Sequence, residues 1–279
     1  GVDFVGGREY KVRFEQPISA QKVKSDLDNV FGGGTIVKTI GSANQFKITT
    51  AGLIDKNSSE SDHLADNALY NGVKKYLPSN TSFETFKQIN LLSQQKVDPT
   101  ISVDIIKSST WAVLLSIIGI FMYILIRFRS LGYSLGAIVS TAHDAILMLV
   151  LFSLLHGILP FSLEIDQTFI AAILTVIGYS LNDTVIIYDR LREYLSVKND
   201  KPMAANMNAA INSTLSRTFN TSFTTLITLT ILFIFGGESL RSFSFAMMIG
   251  VAIGTYSSIF VAAPIMYDFE RFRNRNKKS

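Results

Sequence analysis

The chain has 279 residues, 48% of them hydrophobic and 17% charged, with a formal net charge of +4 and no cysteine. The missing cysteine excludes disulfides, thiol catalysis and thiolate-bound metal. The apolar fraction is ordinary for a globular protein but unevenly spread: residues 1–107 carry nearly balanced charge, whereas from Ser108 onward long stretches carry none, so the chain meets two solvents.

Residues 1–107 read as alternating short elements. Arg8–Phe14 alternates as a strand. Ser19 caps a helix predicted to run to about Val30, which Phe31-Gly32-Gly33-Gly34 ends. Thr35–Ile40 and Gln45–Thr50 form a hairpin around Gly41-Ser42-Ala43-Asn44. Glu60–Tyr76 is helical and stopped by Pro78, and Phe83–Val97 returns as strand. That order, βαββαβ, is a ferredoxin-like plait. The glycine run lacks the Lys-Ser/Thr that completes a phosphate loop, so it reads as a turn. His63 stands alone and is expected in solvent, and no nucleophile–base set or metal site is seen in this part.

Five segments then have the length and polarity of membrane spans: Ser109–Ile126, Leu131–Leu155, Gln167–Tyr188, Arg217–Phe235 and Phe243–Tyr267. A span needs about 20 apolar residues. Basic residues set the topology. Arg127 and Arg129 lie between the first two spans, and Arg190, Arg192, Lys198 and Lys201 lie in the stretch Asp189–Arg217, whereas Leu155–Asp166 has none and Gly236–Ser242 only Arg241. Basic loops stay in the cytoplasm, which puts residues 1–107 outside and the tail inside. The expected organisation is an extracytoplasmic domain at 1–107, a five-helix bundle at 108–268 and a basic cytoplasmic tail at 269–279. A further helix before Gly1 is expected, to bring the chain out. The tail follows an apolar segment, so it reads as a topology signal and not as a nucleic-acid contact.

Ionisable residues lie inside these spans: Asp144 with His143 beside it, Asp183, and Arg217. A charge at the bilayer centre costs about 2.5–3.5 kcal/mol on insertion scales, and such residues face protein or water and serve a pathway. The bland alternative is a fixed ion pair that keeps helices in register. Asp183 and Arg217 are each roughly 26 Å from the outer end of their helices at 1.5 Å per residue, so antiparallel neighbours bring them level. Asp144 sits nearer the middle. Thr175, Tyr179, Asn182 and Asp183 share one helix side, and Arg217, Thr221, Thr224 and Thr228 share another. Polar stripes in lipid meet each other or line water. Small residues recur every four positions as Gly132, Gly136, Ser140, Asp144 and as Gly250, Gly254, Ser258, Ala262, the spacing of close helix packing in membranes. Burial favours the neutral acid and a nearby guanidinium the charged one. A carboxylate balanced between them loads and releases a proton as its distance to Arg217 changes, and a proton crossing about 100 mV yields roughly 2.3 kcal/mol.

These residues carry a resemblance. Ile177-Gly178-Tyr179-Ser180-Leu181-Asn182-Asp183-Thr184-Val185 and Tyr188-Asp189-Arg190-Leu191-Arg192-Glu193 resemble the fourth-helix signature of the SecF family, part of the resistance-nodulation-division superfamily. Ala142-His143-Asp144 resembles its third-helix motif, Ser216-Arg217-Thr218 with Thr221-Ser222 its fifth, and Gly1–Arg8 the segment after its first helix. Phe235-Gly236-Gly237 and Ile249–Ile259 resemble its last loop and helix. Val97-Asp98-Pro99-Thr100 departs, with Asp where the family often has Gly. The resemblance implies a separate SecF, or the SecF half of a fused SecDF, in a bacterial cytoplasmic membrane. It implies no cofactor. Its expected partners are a SecD half, the SecYEG channel, unfolded preprotein, membrane lipid and protons, with Asp183 and Arg217 on the proton pathway. An exporter of small molecules or lipids from the same superfamily and a passive scaffold of the Sec complex are the competing readings. A membrane hydrolase finds no catalytic set here.

Overall fold

The computed structural model describes residue 4 and residues 6–40, 42–51, 59–97, 99–155, 158–159, 161, 163, 165–196, 202–236 and 238–276. Gly41, Asp98, Lys198, Lys201, Gly237 and the start of the N-terminal motif lie outside them. The chain divides into two compact units, residues 1–109 with 156–167 and residues 110–155 with 168–279.

The first unit contains a four-stranded antiparallel sheet. Its strands are β1 (Gly7–Arg13), β2 (Ile36–Thr39), β3 (Gln45–Thr50) and β4 (Leu91–Val97), in spatial order β2-β3-β1-β4. Two helices, α1 (Ala20–Phe31) and α2 (Ser59–Val73), interrupt the strands. Alternate β1 residues Tyr10 and Val12 point inward with Phe46 and Ile48 of β3, and meet Val23, Leu27 and Phe31, spaced four apart on α1, and Leu69 and Val73 of α2. Ser19 precedes α1 in extended conformation, but its side chain makes no capping bond. The glycine run is the turn the sequence suggests: Gly32 ends α1 at φ 81° and its amide donates to Asp28 O, a conformation that costs glycine little.

Phe83–Val97 is not one strand. Phe83–Thr85 and Phe86–Asn90 are helical turns, and only Leu91–Val97 is extended. Ser82 Oγ accepts from the Thr85 amide at 3.2 Å, the bond that starts a helix. Phe83 and Phe86, three apart, both pack against Tyr70, edge-on and tilted, with ring centroids 5.6 Å away. Helical spacing brings both phenylalanines to the core; strand alternation would put them on opposite faces.

Among the described residues five helices are long and apolar enough to cross a membrane: α3 (Pro99–Phe128), α4 (Leu131–Leu155), α5 (Gln167–Ser196), α6 (Met203–Phe235) and α7 (Glu238–Ser257). The last continues through a π-turn at Ser258–Ala262 into α8 (Ala263–Asn276). Trp111, Leu115, Ile118 and Ile126 of α3 are each more than half exposed, an outward apolar surface suited to lipid or partner helices. The stretch Asp189–Arg217, expected as a loop, is largely helical: α5 runs on to Ser196 and α6 begins at Met203. Asn206, Met207, Ala210 and Thr214 extend the buried face of α6 beyond its apolar part, and that packing carries the helix where hydropathy alone ends it.

Candidate functional site

Asp144 of α4 is fully buried. Ser180 Oγ of α5 donates to its Oδ2 at 2.6 Å and Ser257 Oγ of α7 to the same oxygen at 2.8 Å. Ser140 Oγ donates in turn to Ser257 Oγ at 3.0 Å. The other carboxylate oxygen faces His143 Nδ1 at 3.1 Å, with the histidine side chain 30% exposed. Three helices therefore converge on one acid, with neutral donors on one oxygen and a titratable ring at the edge of the bundle on the other.

Asp183 lies one helical turn beyond Ser180 on the buried side of α5, 1% exposed, and its Oδ2 has no hydrogen-bond partner. Across from it runs α6. The Tyr179 hydroxyl donates to Ser222 Oγ and Thr225 Oγ1, each at 3.4 Å, and Arg190 Nε donates to Ser213 Oγ at 3.2 Å. These contacts fix an antiparallel register. Four residues along α5 from Tyr179 is Asp183, and four back along α6 from Ser222 is Thr218, next to Arg217. The level expected for Asp183 and Arg217 thus agrees with the register of the two helices. No ion pair joins them among the described residues. Arg217 is exposed and, with Asn182, lines a cleft of about 550 Å³ shared with Asp189, Arg190, Glu193 and Ser213.

The expected polar stripe of α6 is exposed, and a second polar face is buried. Thr221, Thr224 and Thr228 are exposed and bond back to carbonyls of their own helix. The buried face carries Thr214, Thr218 and Ser222. A threonine that returns its hydroxyl to the preceding turn hides its polarity from the neighbouring helix, so a polar stripe in sequence does not identify the packed face. Thr175 is likewise exposed and bonded to Ala171 O.

The small residues permit close approach, but along two different contacts. A Cβ on Gly250 would overlap the Val176 side chain, and one on Gly254 would lie 2.8 Å from Ser180 Cβ, so this part of α7 packs on α5. A Cβ on Gly136 would overlap the Tyr188 hydroxyl and Ala262 O, and one on Gly132 would lie 3.2 Å from Phe269 Cδ1, so α4 packs on the part of the chain beyond the π-turn. Ser258, within that turn, donates to Ser180 O at 3.2 Å and accepts from Thr184 Oγ1 at 3.0 Å; Tyr188 Oη donates to Ala262 O at 3.1 Å. Sequence reasoning missed Ser180, Ser257, Thr184, Tyr188 and Thr218. The spacing of Ser180 and Thr184 around Asp183 puts both on its side of α5; nothing in the sequence marked the π-turn at Ser258–Ala262. Among the described residues no cluster of His, Asp and Glu has the make-up of a metal site.

A family profile described as "Protein export membrane protein SecD/SecF, C-terminal" matches residues 78–271. The "Protein translocase subunit SecF" of Rhodothermus marinus is 44% identical over 96% of this chain and 82% of its own length. The protein of the same name from Magnetococcus marinus is 36% identical over 95% of this chain and 80% of its own. The crystal structure of SecDF, a translocon-associated membrane protein from Thermus thermophilus, superposes with a TM-score of 0.78 at 28% identity, over 97% of this chain and 34% of that one. The chain thus spans about a third of the length of that solved protein.

Proposed function

Because the chain belongs to the SecD/SecF family of protein-export membrane proteins, we propose that it is the accessory SecF component of the Sec export machinery and that it couples the proton-motive force to preprotein translocation. It is a transport component and not a metabolic enzyme. The observation that carries the coupling is the buried Asp183, level with the Arg217 segment and joined to it by no fixed ion pair. A register strut would be a closed pair with its hydrogen bonds satisfied. An acid with an unpaired oxygen beside a cleft that Arg217 lines is suited to a group that changes partner as it changes charge. Asn182 and Tyr179 flank it. Asp144 is the second acid of the route, anchored by Ser180 and Ser257 and reaching the bundle edge through His143.

In this reading residues 1–107 form a ferredoxin-like domain on the outer side of a bacterial inner membrane, 108–268 the bundle, and 269–279 a cytoplasmic tail. The antiparallel order β2-β3-β1-β4 supports the plait, and the basic residues Arg127, Arg190 and Arg192 at one end of the bundle support the orientation. A helix before Gly1, a SecD half and the SecYEG channel complete the assembly, with unfolded preprotein as cargo and lipid around it.

The test is preprotein export into inverted membrane vesicles with and without a proton gradient. Asp183→Asn freezes the acid neutral and removes the gradient-dependent component at normal membrane levels. Asp183→Glu keeps part of it. Arg217→Lys is poor, because lysine lacks the planar fork of arginine. Full gradient-dependent export by Asp183→Asn would leave the passive scaffold as the better reading.

A further inference from the structure

The seven threonines of α6 fall into two groups. Thr214, Thr221, Thr224, Thr225, Thr228 and Thr230 each donate to a carbonyl three or four residues back in their own helix. Thr218 does not. It is 1% exposed, and its Oγ1 has no hydrogen-bond partner. A buried hydroxyl without a partner is destabilising, and the nearest partner in a helix is the carbonyl of the preceding turn. Thr218 forgoes that partner at the level where α5 presents the other unpaired atom, Asp183 Oδ2. The register comes independently from Tyr179 with Ser222 on one side of this level and Arg190 with Ser213 on the other.

We propose that Thr218 is the positioning residue for the proton step at Asp183: its hydroxyl partners the carboxyl group when Arg217 does not. This rests on the proton-driven reading above. A hydroxyl both donates and accepts, so one residue serves both states of the acid. With Asp183 charged, Thr218 O–H donates to the carboxylate. With Asp183 neutral, the acid O–H donates to Thr218 Oγ1. The proton comes from water and returns to water; none is transferred to the threonine, and no other bond is made or broken. Arginine cannot do this, because it only donates. The other charged or titratable groups on the packed elements are these. Arg217 is on α6, Asp144 and His143 are on α4 with the acid held by Ser180 and Ser257, and Tyr179 is on α5 itself. Further along α5, Asp189, Arg190 and Glu193 line the cleft with Arg217, with Arg190 paired to Glu193 and Asp189 to Arg192, and the Tyr188 hydroxyl donates to Ala262 O. Arg241 is near the start of α7. Phe243–Ser257 of α7 carries no charged side chain, and its Tyr256 is 54% exposed.

A hydrogen bond to the charged acid is roughly twice as strong as one to the neutral acid. Removing the hydroxyl therefore moves the pH of half-maximal gradient-driven export upward by about one unit. The experiment uses the intact chain with its natural partners in inverted vesicles, measuring export against pH with and without a gradient. Thr218→Val is expected to show that shift, with membrane levels and gradient-independent export unchanged. Thr218→Ser, which keeps the hydroxyl, is expected to restore the normal midpoint. If Thr218→Val does not accumulate, Thr218→Ala is read in the same way. A normal pH profile in the hydroxyl-free variant, or a serine variant that behaves like it, overturns the proposal. Asp183→Asn in the same vesicles separates the two layers: if it abolishes gradient-driven export while Thr218→Val is normal, only the role of Thr218 fails; if it exports fully, the proton-driven reading fails with it.

Discussion

Ser180 on α5 and Ser257 on α7 donate to the same carboxylate oxygen of Asp144, at 2.6 and 2.8 Å. Neither serine belongs to the helix that carries the acid, so the acid ties three helices at one point. Its second oxygen is left for His143.

Replacing Asp144 separates anchoring from charge. Asp144→Ala takes the acceptor from Ser180 and leaves Ser257 only the Gly254 carbonyl of its own helix, and is expected to cost about 1–3 kcal/mol, read as a lower unfolding temperature of the complex in detergent. Asp144→Asn keeps an acceptor oxygen for both serines and is expected to stay within about 1 kcal/mol of the parent while losing gradient-driven export. Unimpaired export by the asparagine variant would confine Asp144 to the anchoring role.

The two glycine contacts predict two different failures. Gly250→Leu forces a side chain into Val176 and Gly136→Val into Ala262 and Tyr188. Overpacking of this kind costs about 1–3 kcal/mol. Measured by detergent melting and by disulfide trapping of engineered cysteine pairs, the first is expected to loosen α7 from α5 and leave α4 against α8. The second is expected to do the reverse. Equal loss of trapping at both contacts would refute their independence.

Acid sensitivity of the sheet unit follows from Asp62. The carboxylate is held below its usual range first by its hydrogen bond from Arg8 and then by that from Lys96, at 2.6 and 2.9 Å. A lowered folded-state value means the contribution is complete above the unfolded value near pH 4 and fades as the pH falls through the lower folded value. Hydrogen exchange of β1 and α2 in the intact protein is therefore expected to rise below about pH 4. In Asp62→Asn exchange is faster at neutral pH and less dependent on acid. An unchanged acid profile in that variant would remove Asp62 from the account.

Topology is open to a direct check. Ser42 and Ser196 are both exposed. A cysteine at Ser42 is expected to react with an impermeant thiol reagent in spheroplasts, and one at Ser196 only after the membrane is opened. The reverse pattern would invert the orientation drawn from Arg127, Arg190 and Arg192.

The sequence showed the five spans and the level of Asp183 because bilayer polarity writes itself plainly: long uncharged runs are rare, and ionised residues within them rarer. It showed β1, β3, α1 and the glycine turn because alternation, four-residue spacing and left-handed glycines are local signals. It misread Phe83–Asn90 because apolar residues three apart fit a short helical turn as well as part of a strand, and Tyr70 decides between them from another helix. It ended α5 too early and began α6 too late because those ends are polar, and that of α6 is held by tertiary packing through Asn206, Ala210 and Thr214. It did not single out the buried Thr218 and Ser222 of α6, because back-bonded threonines such as Thr221, Thr224 and Thr228 look just as polar in sequence.

The π-turn at Ser258–Ala262 has the effect of one residue too many in an otherwise continuous helix. Gly250, Gly254, Ser258 and Ala262 look like a single ridge in the sequence, yet Gly250 and Gly254 face α5 while Ala262 and Met266 face Gly136 of α4. The extra residue resets the helical phase by about 100°, one residue's rotation, so the ridge that lies on α5 at Gly250 and Gly254 lies on α4 at Ala262. The Ala262 carbonyl, at the end of the turn, accepts from the Tyr188 hydroxyl, five residues along α5 from Asp183. Deleting one residue within the turn would restore a regular helix at little local cost. It would also swing Met266 and Glu270 off α4, so the irregularity acts as a phase-setter between the two ends of one rod.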